Sequence, residues 1–260
     1  MDGVNKTLYI PLYGKSCMSK RGLFLQDQWA EKIWETEQFL LKGKAKSKWL
    51  AFYMGIRAAV FDDWVKEKMA EQTDGVVLHL GCGMDSRAMR VGTQKHKWYD
   101  VDFPEVIGER KRYFTETAEY RMLPADVRQK DWLEQIPERK TGIVVMEGIS
   151  MYLTAEQLQG LMENLCGHFE QVFLLMDCYT ELAARMSRYK NPVREVGVTC
   201  VYGMDDPRTI QTDTLRFVKE QEMTPARYVD KLQGMERKIF GMLYAGGFSQ
   251  KLYRLYEYWK

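Results

Sequence analysis

The sequence predicts an α/β fold, a mostly parallel sheet with helices on both faces, preceded by a helical extension and interrupted by an inserted lid. Three observations predict it. From Val76 onward, short apolar runs alternate with helical stretches, the pattern of strands joined by crossover helices. Residues 142–146 form an unbroken run, as a strand buried on both faces requires. Finally, a glycine or an acid closes one run after another: Gly81, Asp102, Asp126 and Glu147. In an open parallel sheet the ligand lies at the carboxyl ends of the strands, where these residues fall.

Each element follows in order. Residues 22–42 read as a helix, with Phe24, Trp29, Ile33 and Leu40 spaced among polar residues. Residues 42–48 form a basic, glycine-containing linker. Residues 49–69 read as a second helix that buries Leu50, Met54, Val60, Phe61 and Val65. Strands are predicted at 76–80, 97–103, 121–124, 142–146 and 171–176, the last ending at Asp177, and a turn and helix at 103–117. Thr154 and Gln157 fit a capping box, with Leu158, Leu161, Met162 and Leu165 beyond. Residues 178–213 carry Asn-Pro and a turn-rich Gly203–Pro207 stretch, and read as a lid over the strand ends. Residues 215–221 return to the sheet. A helix runs from Pro225 to about Tyr244, stopped by Gly246 and Gly247, and 252–259 is the last strand. The whole, 1–260, reads as one domain, with 1–72 its N-terminal helical segment.

Composition excludes several classes. A net charge of +2 gives no basis for a polyanionic partner, and the one dense basic cluster, 42–48, reads as a solvated linker rather than a nucleic-acid surface. No apolar window approaches the roughly 20 residues of a membrane span, and the N-terminus lacks a signal-peptide pattern. Five cysteines, odd in number and without CxxC, fit a reducing, cytoplasmic setting. Seven Trp and fifteen Tyr fit either core packing or an aromatic-lined pocket.

Gly81 and Gly83 let the backbone turn tightly and approach a ligand. The run Gly81-Cys82-Gly83-Met84-Asp85-Ser86-Arg87 has arginine where a dinucleotide fingerprint has its third glycine, which disfavours an NAD-dependent oxidoreductase. It also lacks the end of a P-loop. Asp102, 21 residues after Gly81, is placed to accept two ribose hydroxyls, or is a solvated turn acid before Pro104. Asp126 is placed to accept from an adenine amino group, or is a helix N-cap before Val127. Together they point to an adenosine-containing cofactor.

The stretches LHLGCGMDSR, YDVDFPEVIGERK, LPADVRQKDWLEQI and VVMEGISMYLTAEQ, in this order and spacing, resemble the leucine carboxyl methyltransferase family, whose members include small-molecule O-methyltransferases of the polyketide-biosynthesis type. The resemblance extends from about residue 9 to the last strand and implies a class I methyltransferase fold that binds S-adenosylmethionine. It implies that Gly81 and Gly83 lie against the methionine half, that Asp102 takes the ribose, that Asp126 and Val127 take the adenine, and that Glu147 lies near the amino-acid end. Arg57, in AFYMGIRAAVFDDW, matches the family's arginine before the sheet and would pair with the methionine carboxylate, and with Lys15 it would clamp an anionic substrate. The residues alone allow a second reading of Arg57, a surface pair with Asp62 or Asp63.

Methyl transfer from a sulfonium needs alignment and exclusion of water. A carboxylate acceptor needs no base at pH 7, whereas a phenol usually does. The three histidines offer little: His79 reads as a core or backbone-satisfied residue, His96 as solvated, His168 as a capping residue. None has metal-ligand spacing, so no metal is expected, and Cys82 reads as packing. In the lid, Tyr179, Arg185, Tyr189 and Tyr202, with Met186 and Lys190, read as a substrate wall or as packing against the body. The chain is expected to act on a small-molecule carboxylate or phenol. The competing expectations are a non-catalytic adenosine-binding module and carboxyl methylation of a protein C-terminus, against which 178–213 speaks.

Overall fold

Strand formation here follows from burial. The computed structural model describes residues 7–41, 43–137, 140–187 and 201–260. In them, β1 (Gly75–Leu80), β2 (Lys97–Asp102), β3 (Tyr120–Pro124), β4 (Thr141–Met146) and β5 (Gln171–Tyr179) pair in parallel. Two further strands, β6 (Arg216–Glu220) and β7 (Tyr253–Trp259), are antiparallel, giving a seven-stranded sheet ordered β3-β2-β1-β4-β5-β7-β6. Side chains alternate across it: Val77, Ile143, Val145 and Leu175 join one core, and Val76, Leu78, Val144, Met146, Leu174 and Met176 the other.

The helices show where the sequence reading needs correcting. The helix α1 (Tyr9–Lys20) was not predicted. Its Pro11 lies in the first turn, where a missing N–H costs nothing. Its Gly14 permits close contact, because a Cβ there would lie 2.6 Å from Met54 Cβ. Next, α2 (Gln28–Glu37) is shorter than the predicted 22–42. Asp27 caps it by accepting from Ala30 N–H at 2.8 Å, and Leu40 falls beyond its end, 81% exposed. The helix α3 (Lys48–Glu71) is buried nearly all round, not on one face, because α1 covers one side and β4 and β5 the other. Leu50 is only half-buried.

After β1 come α4 (Arg87–Val91), then α5 (Pro104–Arg110) behind β2. The capping box forms on α6 (Ala155–His168): Gln157 N–H donates to Thr154 Oγ1 at 3.3 Å and Thr154 N–H to Gln157 Oε1 at 2.9 Å. Thr154→Ala is expected to cost about 1 kcal/mol, read as a lowered urea midpoint with an unchanged m-value. Cys178 and Tyr179 belong to β5, paired with Arg254 and Tyr253, so the predicted lid begins too early. The described part of 178–213 holds α7 (Glu181–Ser187) and a 3-10 turn at Pro207–Ile210. Residues 188–200 lie outside the described residues.

The predicted helix 225–244 is two helices, α8 (Ala226–Val229) and α9 (Gly234–Leu243), broken where Gly234 takes a φ of +51°. Gly247 does not end the helical region but opens the turn α10 (Gly247–Gln250). His96, expected in solvent, is 2% exposed and its Nε2 meets the Gln72 carbonyl. His168 ends α6 with its ring edge-on to Phe169. Among the described residues no helix is long and apolar enough to cross a membrane, and no group of acidic, histidine or cysteine side chains is placed to hold a metal.

Candidate active site

A cavity of about 1240 Å³ opens at the carboxyl ends of β1, β2 and β4. The chain leaves β1 for β2 on one side and reaches β4 on the other, so this is the topological switch point of the sheet. Gly81 and Gly83 line it with φ of +65° and +51°, a region side chains disfavour. A Cβ on Gly81 would also lie 2.8 Å from Ile149 Cβ. Gly83 N–H donates to Asp102 Oδ2 at 2.7 Å and Phe103 N–H to Asp102 Oδ1 at 2.8 Å. A carboxylate offers about four acceptor positions, so Asp102 retains capacity for a ligand. Burial pushes its carboxyl up.

Asp126 and Val127 also line the cavity. No helix begins at Val127, so Asp126 is not a helix N-cap. Its Oδ1 accepts from Arg128 N–H at 3.0 Å and from Arg128 Nε at 2.8 Å, fixing the turn.

Arg57 does not pair with Asp62 or Asp63. Its Nη1 donates to Asp177 Oδ2 at 2.9 Å and to Tyr253 Oη at 2.8 Å, and its Nη2 lies 3.1 Å from Glu147 Oε1. Arg57 Nε has no hydrogen-bond partner among the described residues. Lys15, 3% exposed, sits 2.7 Å from Asp85 Oδ2 and 3.5 Å from Glu147 Oε1. Both cations thus reach the cavity wall, but each is already matched with carboxylates.

Arg87 stands where a dinucleotide fold would have glycine, and it is fully buried. It contacts Asp62 Oδ1 at 2.8 Å, Asp85 Oδ2 at 3.3 Å and Glu147. Arg90 extends the network to Asp27, Asp62 and Asp85. Burial opposes ionisation of Glu147, yet Lys15, Arg87 and Arg57 outweigh it and hold its carboxyl well below the usual range. Asp85 behaves likewise beside Arg90, Lys15 and Arg87. For Asp177 burial wins over Arg57, and its carboxyl is pushed up. His79 is in the core but meets side chains rather than backbone. Its Nε2 is 3.2 Å from Arg87 Nη1 and its Nδ1 3.4 Å from Asp100, and burial pushes its pKa down. Cys82 is buried and its thiol is pushed well up, which suits packing.

The substrate-wall residues separate. Tyr179 lines the cavity, as does Met186. Arg185 points outward on α7, its Nε 3.4 Å from the Glu181 carbonyl. Tyr202 is 44% exposed and contributes its N–H to the Met151 carbonyl. Neither lines the cavity. Tyr189 and Lys190 lie outside the described residues. Sequence reading missed Tyr53, Tyr152 and Tyr253, which complete an aromatic wall with Tyr179. It also missed Asp85, Arg87 and Asp177. The Asp-x-Arg after the glycine turn and the acid closing the fifth apolar run were the available signals.

The leucine carboxyl methyltransferase family model matches residues 13–166. A tetracenomycin polyketide synthesis O-methyltransferase, TcmP, of Streptomyces glaucescens is 32% identical over 70% of this chain and 69% of its own length. An S-adenosyl-L-methionine-dependent methyltransferase, dpfgK, of Gibberella zeae is 28% identical over 65% of this chain and 62% of its own. Among solved structures, the magnesium protoporphyrin IX methyltransferase of Synechocystis PCC 6803 superposes with a TM-score of 0.54. The overlap covers 88% of this chain and 93% of that one at 12% identity, a likeness of fold alone. With a motif set, a cofactor-type turn and a sheet order that agree, the chain belongs to the leucine carboxyl methyltransferase family.

Proposed function

We propose that this S-adenosylmethionine-dependent O-methyltransferase methylates a carboxylate or phenol oxygen of a small, largely apolar acceptor by in-line displacement. The observation that carries this reading is one cavity with two kinds of wall. The glycine turn and Asp102 form one part, and Tyr53, Tyr152, Tyr179 and Tyr253 with Leu153 and Met186 form the other. A module that only bound a cofactor would have no use for the second.

The residues fit the cofactor by charge as well as shape. Among the described residues the buried network joins four cations, Lys15, Arg57, Arg87 and Arg90, to five carboxylates, Asp27, Asp62, Asp85, Glu147 and Asp177. With His79 neutral, one negative charge is unmatched, and Asp102 adds another at the wall. Such a site favours a ligand with net positive charge, as an ammonium and a sulfonium against one carboxylate provide. It disfavours the two phosphates of NAD. In this reading Gly81 and Gly83 approach the methionine half, Glu147 takes its ammonium and the free Arg57 Nε faces its carboxylate. Asp102 holds the ribose, and Asp126 with Val127 the adenine. The bound cofactor supplies a methyl group on sulfur that needs only alignment and a dry site. The reading includes a cytoplasmic setting, supported by the free thiols of Cys17, Cys82, Cys166 and Cys178.

Calorimetric titration tests it. S-adenosylmethionine is expected to bind and NAD not to. Asp102→Ala is expected to weaken the former about 100-fold, at roughly 1.5 kcal/mol for each of two hydrogen bonds to a charged group. Binding of NAD alone would overturn the reading.

A further inference from the structure

The acceptor side of the cavity meets solvent at a rim whose composition neither cofactor nor fold explains. Lys44 in the 3-10 turn Gly43–Lys46, Met186 on α7 and Leu243 on α9 all line the cavity and are all exposed. The inner side of α9 packs by Phe240 against Phe52 of α3. Tyr244, stacked on Phe240, has its ring 6.2 Å from that of Tyr53 in the acceptor wall. The outer side has no such cover: Met235 and Met242 are 67% and 69% exposed. Met235, Lys238 and Met242 are spaced three and four apart, so they share the helix face that looks away from Phe240. The overall charge of +2 is unevenly spread here. The 3-10 turn, the first residue of α3 and α9 together carry five exposed cations, Lys44, Lys46, Lys48, Arg237 and Lys238, and one acid, Glu236. Glu236 lies 2.7 Å from Arg21 and 3.4 Å from Lys48, which joins the turn and α9 into one surface. Counting Arg21, and Asp230 beside Arg237, the surplus is four positive charges.

We propose that this face, α9 with the 3-10 turn, seats on an anionic lipid surface and sets the acceptor rim of the cavity against it. Charge complementarity selects the headgroups, since anionic lipids attract a basic patch that comes within a Debye length of them. The methionines select lipid over a protein partner. Side chains two-thirds exposed stand proud of their neighbours, as insertion at the boundary of headgroups and acyl chains requires. A partner helix would instead need a groove to lie in. Lying in the interface takes no membrane-spanning length, so the absence of a spanning helix among the described residues is no obstacle. The seat rests on this surface alone. Its use, to pass an apolar acceptor from lipid to the aromatic wall without crossing water, rests on the methyltransferase reading above.

The test is flotation of the full chain with phosphatidylcholine vesicles, with and without phosphatidylglycerol. It is run at low salt and at about 1 M salt, where the Debye length falls to roughly 3 Å. Wild type is expected to float with the anionic vesicles and not the neutral ones, and to be released by salt. Lys46→Gln combined with Lys238→Gln is expected to weaken binding about 25-fold, at roughly fivefold for each cation near the surface. Met242→Glu is expected to abolish it. All three positions are exposed and outside the cavity lining, so each variant should keep the wild-type Tm and S-adenosylmethionine affinity. No binding to anionic vesicles, or binding that these variants leave unchanged, would overturn the proposal. So would a dimer in light scattering that Met242→Glu splits, which would assign the face to a second copy. Retention on polyglutamate by a protein that ignores vesicles would overturn it too, and assign the face to an acidic protein. Failure to bind S-adenosylmethionine would instead sink the methyltransferase reading, while the vesicles would still decide the docking.

Discussion

Arg87→Leu is expected to destabilise the protein by about 3–5 kcal/mol, the cost of removing one partner from a buried ionic network. The guanidinium is fully buried and neutralises Asp62, Asp85 and Glu147 at once. Leucine fills part of the volume but, among the described residues, leaves Glu147 with Lys15 and Arg57 and Asp62 with Arg90 as cationic partners. Those carboxylates must then bind protons or admit water, each at a free-energy cost. The damage also spreads through structure, because Arg87 ties α4 to α3 and to the ends of β1 and β4. Thermal unfolding should shift down by roughly 6–20 °C for a chain of this size. As a control, Arg237→Leu removes an ion pair with Asp230 that is more than half exposed on both sides. Such a surface pair is worth about 0–1 kcal/mol. Equal shifts in the two variants would mean that the buried network is no more costly to break than a surface contact.

That network explains what was legible in the sequence and what was not. Strands such as Gly75–Leu80 and Thr141–Met146 are buried along their whole length, and burial on both faces writes itself as a local apolar run. Glycine and acid at the ends of the runs were legible for the same reason: they mark where a run stops. The helix Tyr9–Lys20 was hidden because its buried side carries Gly14, Lys15 and Ser16, residues that look like surface until their partners are known. Those partners are remote. Arg57 meets Asp177 at a separation of 120 residues and Tyr253 at 196. No periodicity reports such a pairing. The family resemblance supplied Arg57 and Lys15 as site residues. Only the fold shows that each is bound to carboxylates, which weakens the idea of a free clamp for an anionic acceptor. The outward direction of Arg185 and Tyr202 is equally a matter of packing, since nothing in the residue types distinguishes them from Tyr179.

Acid should unfold this protein steeply, and through its buried ion network. Asp62, Asp85, Asp100 and Glu147 all have carboxyls held below their usual values, burial being outweighed by Arg57, Arg87, Arg90, Arg110 and Lys15. A carboxyl depressed in the folded state contributes stability that is fully present above its unfolded pKa, about 4. That contribution is lost as pH falls through the folded value. Asp102 and Asp177 act in the opposite sense. Their carboxyls are raised, so each costs stability once ionised, and the cost is relieved as pH drops toward their folded values. The two effects oppose each other just above pH 4, which predicts a shallow profile there and a sharp fall below it. Each proton taken up on unfolding adds about 1.4 kcal/mol per pH unit, so four carboxyls give a limiting slope of about 5 kcal/mol per unit. Urea midpoints between pH 3 and pH 7 would measure this, and Glu147→Gln should remove about one proton from the slope. A profile that stays flat to pH 3 would show that these carboxyls bind protons alike in the folded and unfolded chain, so that the buried cations do not hold them ionised, whereas stability that rises as pH falls would show them neutral in the fold and remove the charge argument for a cationic cofactor. A steep profile would tie stability to the carboxylates that hold α1, α3 and the sheet ends together, the same set on whose excess charge the proposed choice of a sulfonium cofactor rests.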